Sequence, residues 1–283
     1  KVNGNWQQDG TFIAGNSTVT FTGTGNQNIN GTVPSPVFAN FTVNSSSTVA
    51  PQKPLDINGN FTIQTGTFVA GNYEHFISSN FTQSGGGFDA QTSTITFDGS
   101  GAQTVSVLSP TTFYCFKYAG SNSLTPQSNL DINGNFTEGN GTFNCGNYTY
   151  KIAGNMMNNI GWTLGGNSTF AFDGTSPQTI LNGINFDNVI VKNTTKVLYS
   201  ADTLSQIKNI SIDAGCSFDS SALGYLEILG NFTSSGTFVN GGSTTTFGQT
   251  GNSTIWTVQN STFNNVLINK SALTDMVSVS KGI

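Results

Sequence analysis

The feature that most limits what this chain can become is an internal repeat, which has to be found before any local element is assigned. Thr18-Val-Thr-Phe21-Thr-Gly returns as Thr94-Ile-Thr-Phe97-Asp-Gly, as Thr169-Phe-Ala-Phe172-Asp-Gly and, shortened, as Thr245-Thr-Phe247. The four phenylalanines stand 76, 75 and 75 residues apart. Asn5, Asn80, Asn155 and Asn231 keep the same phase, at steps of 75, 75 and 76. A third register agrees: Phe38-Ala-Asn40-Phe-Thr-Val43 matches Phe113-Tyr-Cys115-Phe-Lys-Tyr118, Phe186-Asp-Asn188-Val-Ile-Val191 and Phe263-Asn-Asn265-Val-Leu-Ile268. Residues 1–283 are therefore read as one continuous array of nearly four copies.

A finer period lies inside the unit. Leu55-Asp-Ile-Asn-Gly-Asn60-Phe-Thr is followed 20 residues later by Asn80-Phe-Thr, and Asn135 and Asn155 repeat that step. Aromatic residues follow suit at Phe68 and Phe88, Phe143 and Trp162, and Phe218 and Phe238. A sub-unit of this size is too short for a β-sandwich domain but fits one coil of a solenoid. Apolar and polar residues alternate within it, with Val19, Phe21, Phe41, Val43, Leu55, Ile57 and Phe61 on the inward side. One coil cannot bury its own apolar face; stacked neighbours do so. Turn pairs such as Gly-Asn, Asn-Gly and Asp-Gly recur where corners need positive φ. The expected fold is all-β, a right-handed parallel β-helix of ~75-residue repeats holding about four ~19-residue coils each. Phe21, Phe97, Phe172 and Phe247 form its core ladder at equivalent positions four coils apart, and stacked asparagines form amide ladders. The competing architecture is a string of small β-sandwich modules.

Composition supports the β reading. Charged residues are 8% of the chain, against about 25% in ordinary soluble domains. There is no Arg, the net charge is -5, and 22 Phe dominate the apolar content. That balance offers no basic footprint for nucleic acid. No apolar run is long enough to span a membrane as a helix or to serve as a signal peptide. Cys115, Cys145 and Cys216 match neither a zinc pattern nor a disulfide framework and read as small buried residues, with Cys115 occupying a repeat position that is Asn elsewhere.

The pattern carried by Gly59-Asn-Phe-Thr62, Gly66-Thr-Phe68, Thr94-Ile-Thr-Phe97, Gln103 and Phe263-Asn-Asn265 resembles the repeats of large secreted surface proteins and adhesins of environmental, Bacteroidetes-like bacteria. The resemblance covers nearly the whole chain. It implies an exported, repetitive, cell-surface protein and identifies no ligand.

Parallel β-helices include polysaccharide lyases and hydrolases, whose sites need clustered carboxylates. Here Asp56 and Asp131 share one repeat position, and Asp98 and Asp173 another. A residue that recurs in every unit is expected to be structural. His75 is the one histidine and has no assignable Ser–Asp partner. Gly85-Gly-Gly-Phe-Asp89 approaches a calcium-repeat signature once only, and no phosphate-binding loop is present. The expectation is no enzyme, no catalytic residue, no cofactor and no metal. Thr18/Thr20 and Thr94/Thr96 raise an ice-binding row, which Ala171 breaks in the third copy.

The strongest chemical signal is the N-glycosylation sequon. It occurs at Asn16, Asn30, Asn40, Asn44, Asn60, Asn80, Asn135, Asn140, Asn147, Asn167, Asn193, Asn209, Asn231, Asn252, Asn260 and Asn269, which is 16 of 35 asparagines. Asn60, Asn135 and Asn231, in Gly-Asn-Phe-Thr, are the foremost candidates; the competing explanation is that this tetrapeptide is simply a good turn-plus-strand motif. The function expected is a structural subunit of an extracellular filament or fibre, glycosylated and secreted. The alternatives are the stalk or passenger of a cell-surface adhesin and a polysaccharide-processing enzyme. The expected partner is the chain itself, head to tail: Val2-Asn-Gly-Asn-Trp6 reads like Ile132-Asn-Gly-Asn-Phe136, the coil expected after Ile283.

Overall fold

The computed structural model describes residues 1–158, 166–201, 205–249, 251–258 and 261–282. Trp162, Asn260 and Ile283 lie outside the described residues. The fold is all-β, with parallel strands stacked as a β-solenoid whose turns recur about every 20 residues. Its residues group into two compact units, Lys1–Asn144 and Cys145–Ile283.

In the first unit each turn lays strands on three faces. The first face runs through Thr18–Phe21, Asn40–Pro51, Phe61–Val69, Phe81–Gln83, Gln103–Ser106 and Ser123–Pro126. Its inward rungs stack in register as Val19, Phe41, Phe61, Phe81, Val105 and Pro126. The second face carries Ile29 and then the in-register series Val49, Phe68 and Phe88. The third stacks Phe38, Ile57, Ile77, Phe97, Tyr118 and Glu138. Strand neighbours lie about 4.8 Å apart, so aligned rings touch: Phe61 and Phe81 are 4.9 Å apart, and Phe116 stacks on Phe136 at 5.6 Å with planes 4° from parallel.

The second unit repeats the plan. Phe172, Val191, Ile212 and Ser234 form one column, Ile228, Phe247 and Ile268 another, and Val197, Phe218 and Phe238 a third. Every strand pair among the described residues is parallel, which the sandwich alternative, built on antiparallel hairpins, does not allow.

The structure corrects one expectation. Phe21, Phe97, Phe172 and Phe247 are all fully buried, yet they do not stack in one column. Three register steps carry Phe21 through Val43 and Ile63 to Gln83, and Phe97 comes two strands later, on another face. The same happens in the second unit, where three steps carry Phe172 to Ser234 and Phe247 again comes two strands later. The repeat is thus three turns and two faces of the next. A turn of about 20 residues does not divide 75 evenly, and the backbone ladder follows the turn.

A buried glutamine explains the strictest part of the repeat. Gln103 Oε1 accepts the Gly99 N–H at 3.0 Å, and its Nε2 donates to the carbonyls of Ile77 and Ser79, both at 2.8 Å, one turn below. Gln27 and Gln178 make the same three bonds with Gly23, Val2 and Gly4, and with Gly174, Ile152 and Gly154. Glycine is required beside it: a Cβ on Gly99 would stand 2.1 Å from the Ser78 carbonyl oxygen. In the fourth copy Ser253 replaces the glutamine, and the Lys270 ammonium fills the place, donating to Ser253 Oγ at 2.6 Å and to the Gly248 carbonyl at 3.0 Å.

Phe116 touches Phe97, Phe113, Phe136 and Phe143. Phe116→Ala should lower unfolding stability by about 3–5 kcal/mol, measured by urea denaturation. Hydrogen exchange should accelerate most in the turns directly above and below, because solenoid contacts are local.

Candidate functional site

The sequon asparagines come closest to a chemical constellation, and the solenoid brings several into columns. Asn40 Oδ1 accepts the Asn60 N–H at 3.0 Å, Asn60 Oδ1 accepts the Asn80 N–H at 3.2 Å, and Asn80 Oδ1 accepts the Thr104 N–H at 2.8 Å. Asn209 and Asn231 do likewise to Asn231 and Thr254, and Asn155, outside any sequon, does so to Thr179. These bonds give the Gly-Asn-Phe-Thr motif a structural purpose. Asn sits where the chain leaves a corner, and its amide oxygen satisfies the first N–H of the next turn, which the strand ladder has not yet reached. Phe61 is buried, with exposed Asn60 before it and half-buried Thr62 after it.

Exposure sorts the remaining candidates. Asn16, Asn44, Asn60, Asn135, Asn140, Asn147, Asn167, Asn231, Asn252 and Asn269 are exposed, and Asn30, Asn40, Asn80 and Asn209 are half-buried. In exposed Asn60 and Asn231 the bonds to the next turn fall on Oδ1 and not on Nδ2, the atom a glycan takes. Asn193 is different. It is fully buried, donates through Nδ2 to Ser176 and Gln178, and accepts three bonds from Thr195 and Lys196. A glycan on Nδ2 would destroy that turn, so Asn193 is a structural residue that happens to match a sequon.

His75 is buried with both ring nitrogens occupied. Nδ1 accepts the Leu55 N–H at 3.1 Å, and Nε2 faces the Ala70 carbonyl at 2.8 Å, which fixes the Nε2–H tautomer. Phe68 and Tyr73 flank the ring. Burial pushes its pKa down to about 4, outweighing the bond to Ala70 that favours the charged form. This histidine closes a turn and reaches no open surface.

The carboxylates are dispersed. Burial, and then the neighbouring Asp98, raises the pKa of Asp56. Asp98 accepts from Ser78 Oγ at 2.9 Å. Glu74 pairs with Lys117 at 3.2 Å in a half-exposed ion pair, of the kind that contributes little. Within Gly85-Gly-Gly-Phe-Asp89, Phe88 belongs to the core and Asp89 is held by Gln91. Among the described residues no three His, Cys, Asp or Glu come together in a way that would hold a metal ion. Cys115 is half-buried on its ladder rung beside Thr94, and Cys145 and Cys216 are buried.

Thr18/Thr20 and Thr94/Thr96, the row read from the 75-residue phase, lie on two different faces. The row that does form stacks Thr20, Thr42, Thr62 and Thr82, one per turn, and sequence reading missed it by following the longer period.

The chain matches no protein-family model, no curated protein and no solved structure.

The histidine gives a pH signature. Its folded pKa lies below the ordinary 6.5, so the folded state favours the neutral ring. That contribution is complete above pH 6.5 and is lost as pH falls toward 4. It amounts to about 3 kcal/mol at neutral pH. Urea denaturation at pH 7 and pH 4.5 should show the wild type losing more stability on acidification than His75→Gln, which carries no titratable ring. Equal losses would contradict the burial of the imidazole.

Proposed function

We propose that the chain is a structural element of an extracellular filament or fibre, extended by stacking one β-solenoid turn on another and coated with N-linked glycans. The observation that carries this reading is where the polar chemistry is spent. The repeat-phased Gln and Asn side chains bond one turn to the next, so the recurring sequence serves cohesion along the stack.

The same logic bears on the turn formed by Asn265–Lys270 and Val277–Lys281. It exposes Val266, Ile268 and Val279, residues placed as the apolar rungs are in earlier turns. In a filament, a further turn of the same kind would cover them by the parallel ladder that joins the turns before it. An open parallel edge with apolar rungs is a template for such pairing, and head-to-tail contacts that do not close give filaments. Glycans on the exposed sequons Asn16, Asn147, Asn167 and Asn252 would solubilise a surface nearly free of charge.

Electron microscopy of the concentrated protein tests assembly. The wild type should form filaments, and a Val266→Lys, Ile268→Lys double variant should remain single particles with an unchanged far-ultraviolet spectrum. A wild type that stays monomeric by light scattering at every concentration overturns the filament reading. Glycopeptide mass measurement on material from the native source should find sugar on the exposed set and none on Asn193. A mass equal to the bare 29.8 kDa polypeptide refutes the glycan coat.

A further inference from the structure

One cleft in the first unit breaks the repeat in both sequence and structure. It has a volume of about 260 Å³ and is lined by Asp89, Gln91, Thr112, Tyr114 and Asn133 around Phe88 and Phe113. It opens because the backbone ladder is interrupted there. Gly87–Asp89 pairs with the turn below and Thr112–Phe113 with the turn above, but the two strands do not pair with each other. Residues 107–111 form a loop ahead of the upper strand, tied to Gln83 Oε1 by Leu108 N–H at 3.2 Å and Thr111 Oγ1 at 2.7 Å. The core continues beneath, with Phe88 and Phe113 rings 5.3 Å apart. In stacked-repeat proteins such loops commonly mark the binding side.

Three of the lining residues depart from the repeat. Asp89 stands where the other copies have Ile13, Leu164 and Val239. Gln91 stands where they have Gly15, Gly166 and Gly241, and it keeps a corner conformation of φ 49° that Gly15 and Gly241 adopt at 54° and 56°. Tyr114 replaces Ala39, Asp187 and Asn264. A side chain held at positive φ where glycine suffices elsewhere is strained, and the strain here places a functional group. Gln91 donates to both Asp89 oxygens, from N–H at 3.2 Å and from Nε2 at 2.7 Å. Tyr114 is 37% exposed and lines the cleft.

We propose that this cleft binds a neutral saccharide ring. A pyranose needs a fan of polar groups for adjacent hydroxyls and an aromatic surface for its C–H face; Asp89, Thr112 and Asn133 supply the fan, and Tyr114 is the exposed aromatic residue beside them that would take the face. The Asp89 carboxylate is already held by Gln91, so it acts as an acceptor for hydroxyls and not as a bare counter-ion for an amine. The volume lies below that of drug-sized pockets and suits one ring. No second carboxylate lines the cleft, so the arrangement binds without hydrolysing.

The test is two-dimensional NMR of the full chain titrated with glucose, galactose, mannose and N-acetylglucosamine. At least one should shift Gln91, Tyr114 and Asn133 together. Tyr114→Ala, which restores the residue of the first repeat, should weaken that sugar by about tenfold or more. Gln91→Gly should weaken it too while leaving the denaturation midpoint unchanged or higher, since glycine relieves the corner. The proposal is overturned if none of the four sugars moves these resonances, if Tyr114→Ala binds equally well, or if an alkylammonium salt occupies the cleft in place of the sugars.

Discussion

Everything in this molecule depends on the parallel hydrogen-bond ladder between one turn and the next. The ladder fixes the rise at about 4.8 Å, and that rise decides what side chains can do. Aromatic rings one turn apart fall within contact distance, so phenylalanine stacks down the core. An amide at a corner reaches the backbone of the next turn, so asparagine and glutamine become ties between turns. The low charge follows as well, because identical charges repeated at that spacing would repel along the whole column.

Polar residues inside the solenoid illustrate the point. Gln103 is almost completely buried with three bonds made to backbone, and each of those groups would otherwise be orphaned at a corner. Asn193 and His75 do the same work at single places, using the same backbone logic with different side chains. Such residues look like chemistry in the sequence because they are polar and recurrent, yet in the fold their atoms are consumed by the chain itself.

The architecture was legible in the residues because the alternation around Phe41, Phe61 and Phe81 and the Gly-Asn corners both state the turn length directly. The phase of the longer unit was less so. Matching Phe21 with Phe97 treats the repeat as a whole number of turns, and nothing in the amino-acid types shows that one of the three strands of the last turn is missing. The sequons were visible, but the burial of Asn193 depends on a turn closed from the preceding coil by Ser176 and Gln178. The cleft carried a readable signal that went unused: Asp89, Gln91 and Tyr114 each break a column of the alignment, and exceptions inform most where the rule is strict.

The mismatch between turn and repeat has a further effect. It works like a vernier, two scales of slightly different pitch laid side by side. Within each unit the recurring phenylalanine moves to a different one of three faces from one repeat to the next. Any feature inherited once per repeat, whether a sugar attachment point or a sticky patch, is therefore dealt out around the axis and not aligned along one side. A longer array built to this rule would bring such a feature back to its starting face only after three repeats. Gene duplication alone, without any change of residue, would then spread such features over every side of the solenoid alike and keep identical sticky patches from lining up into one continuous seam.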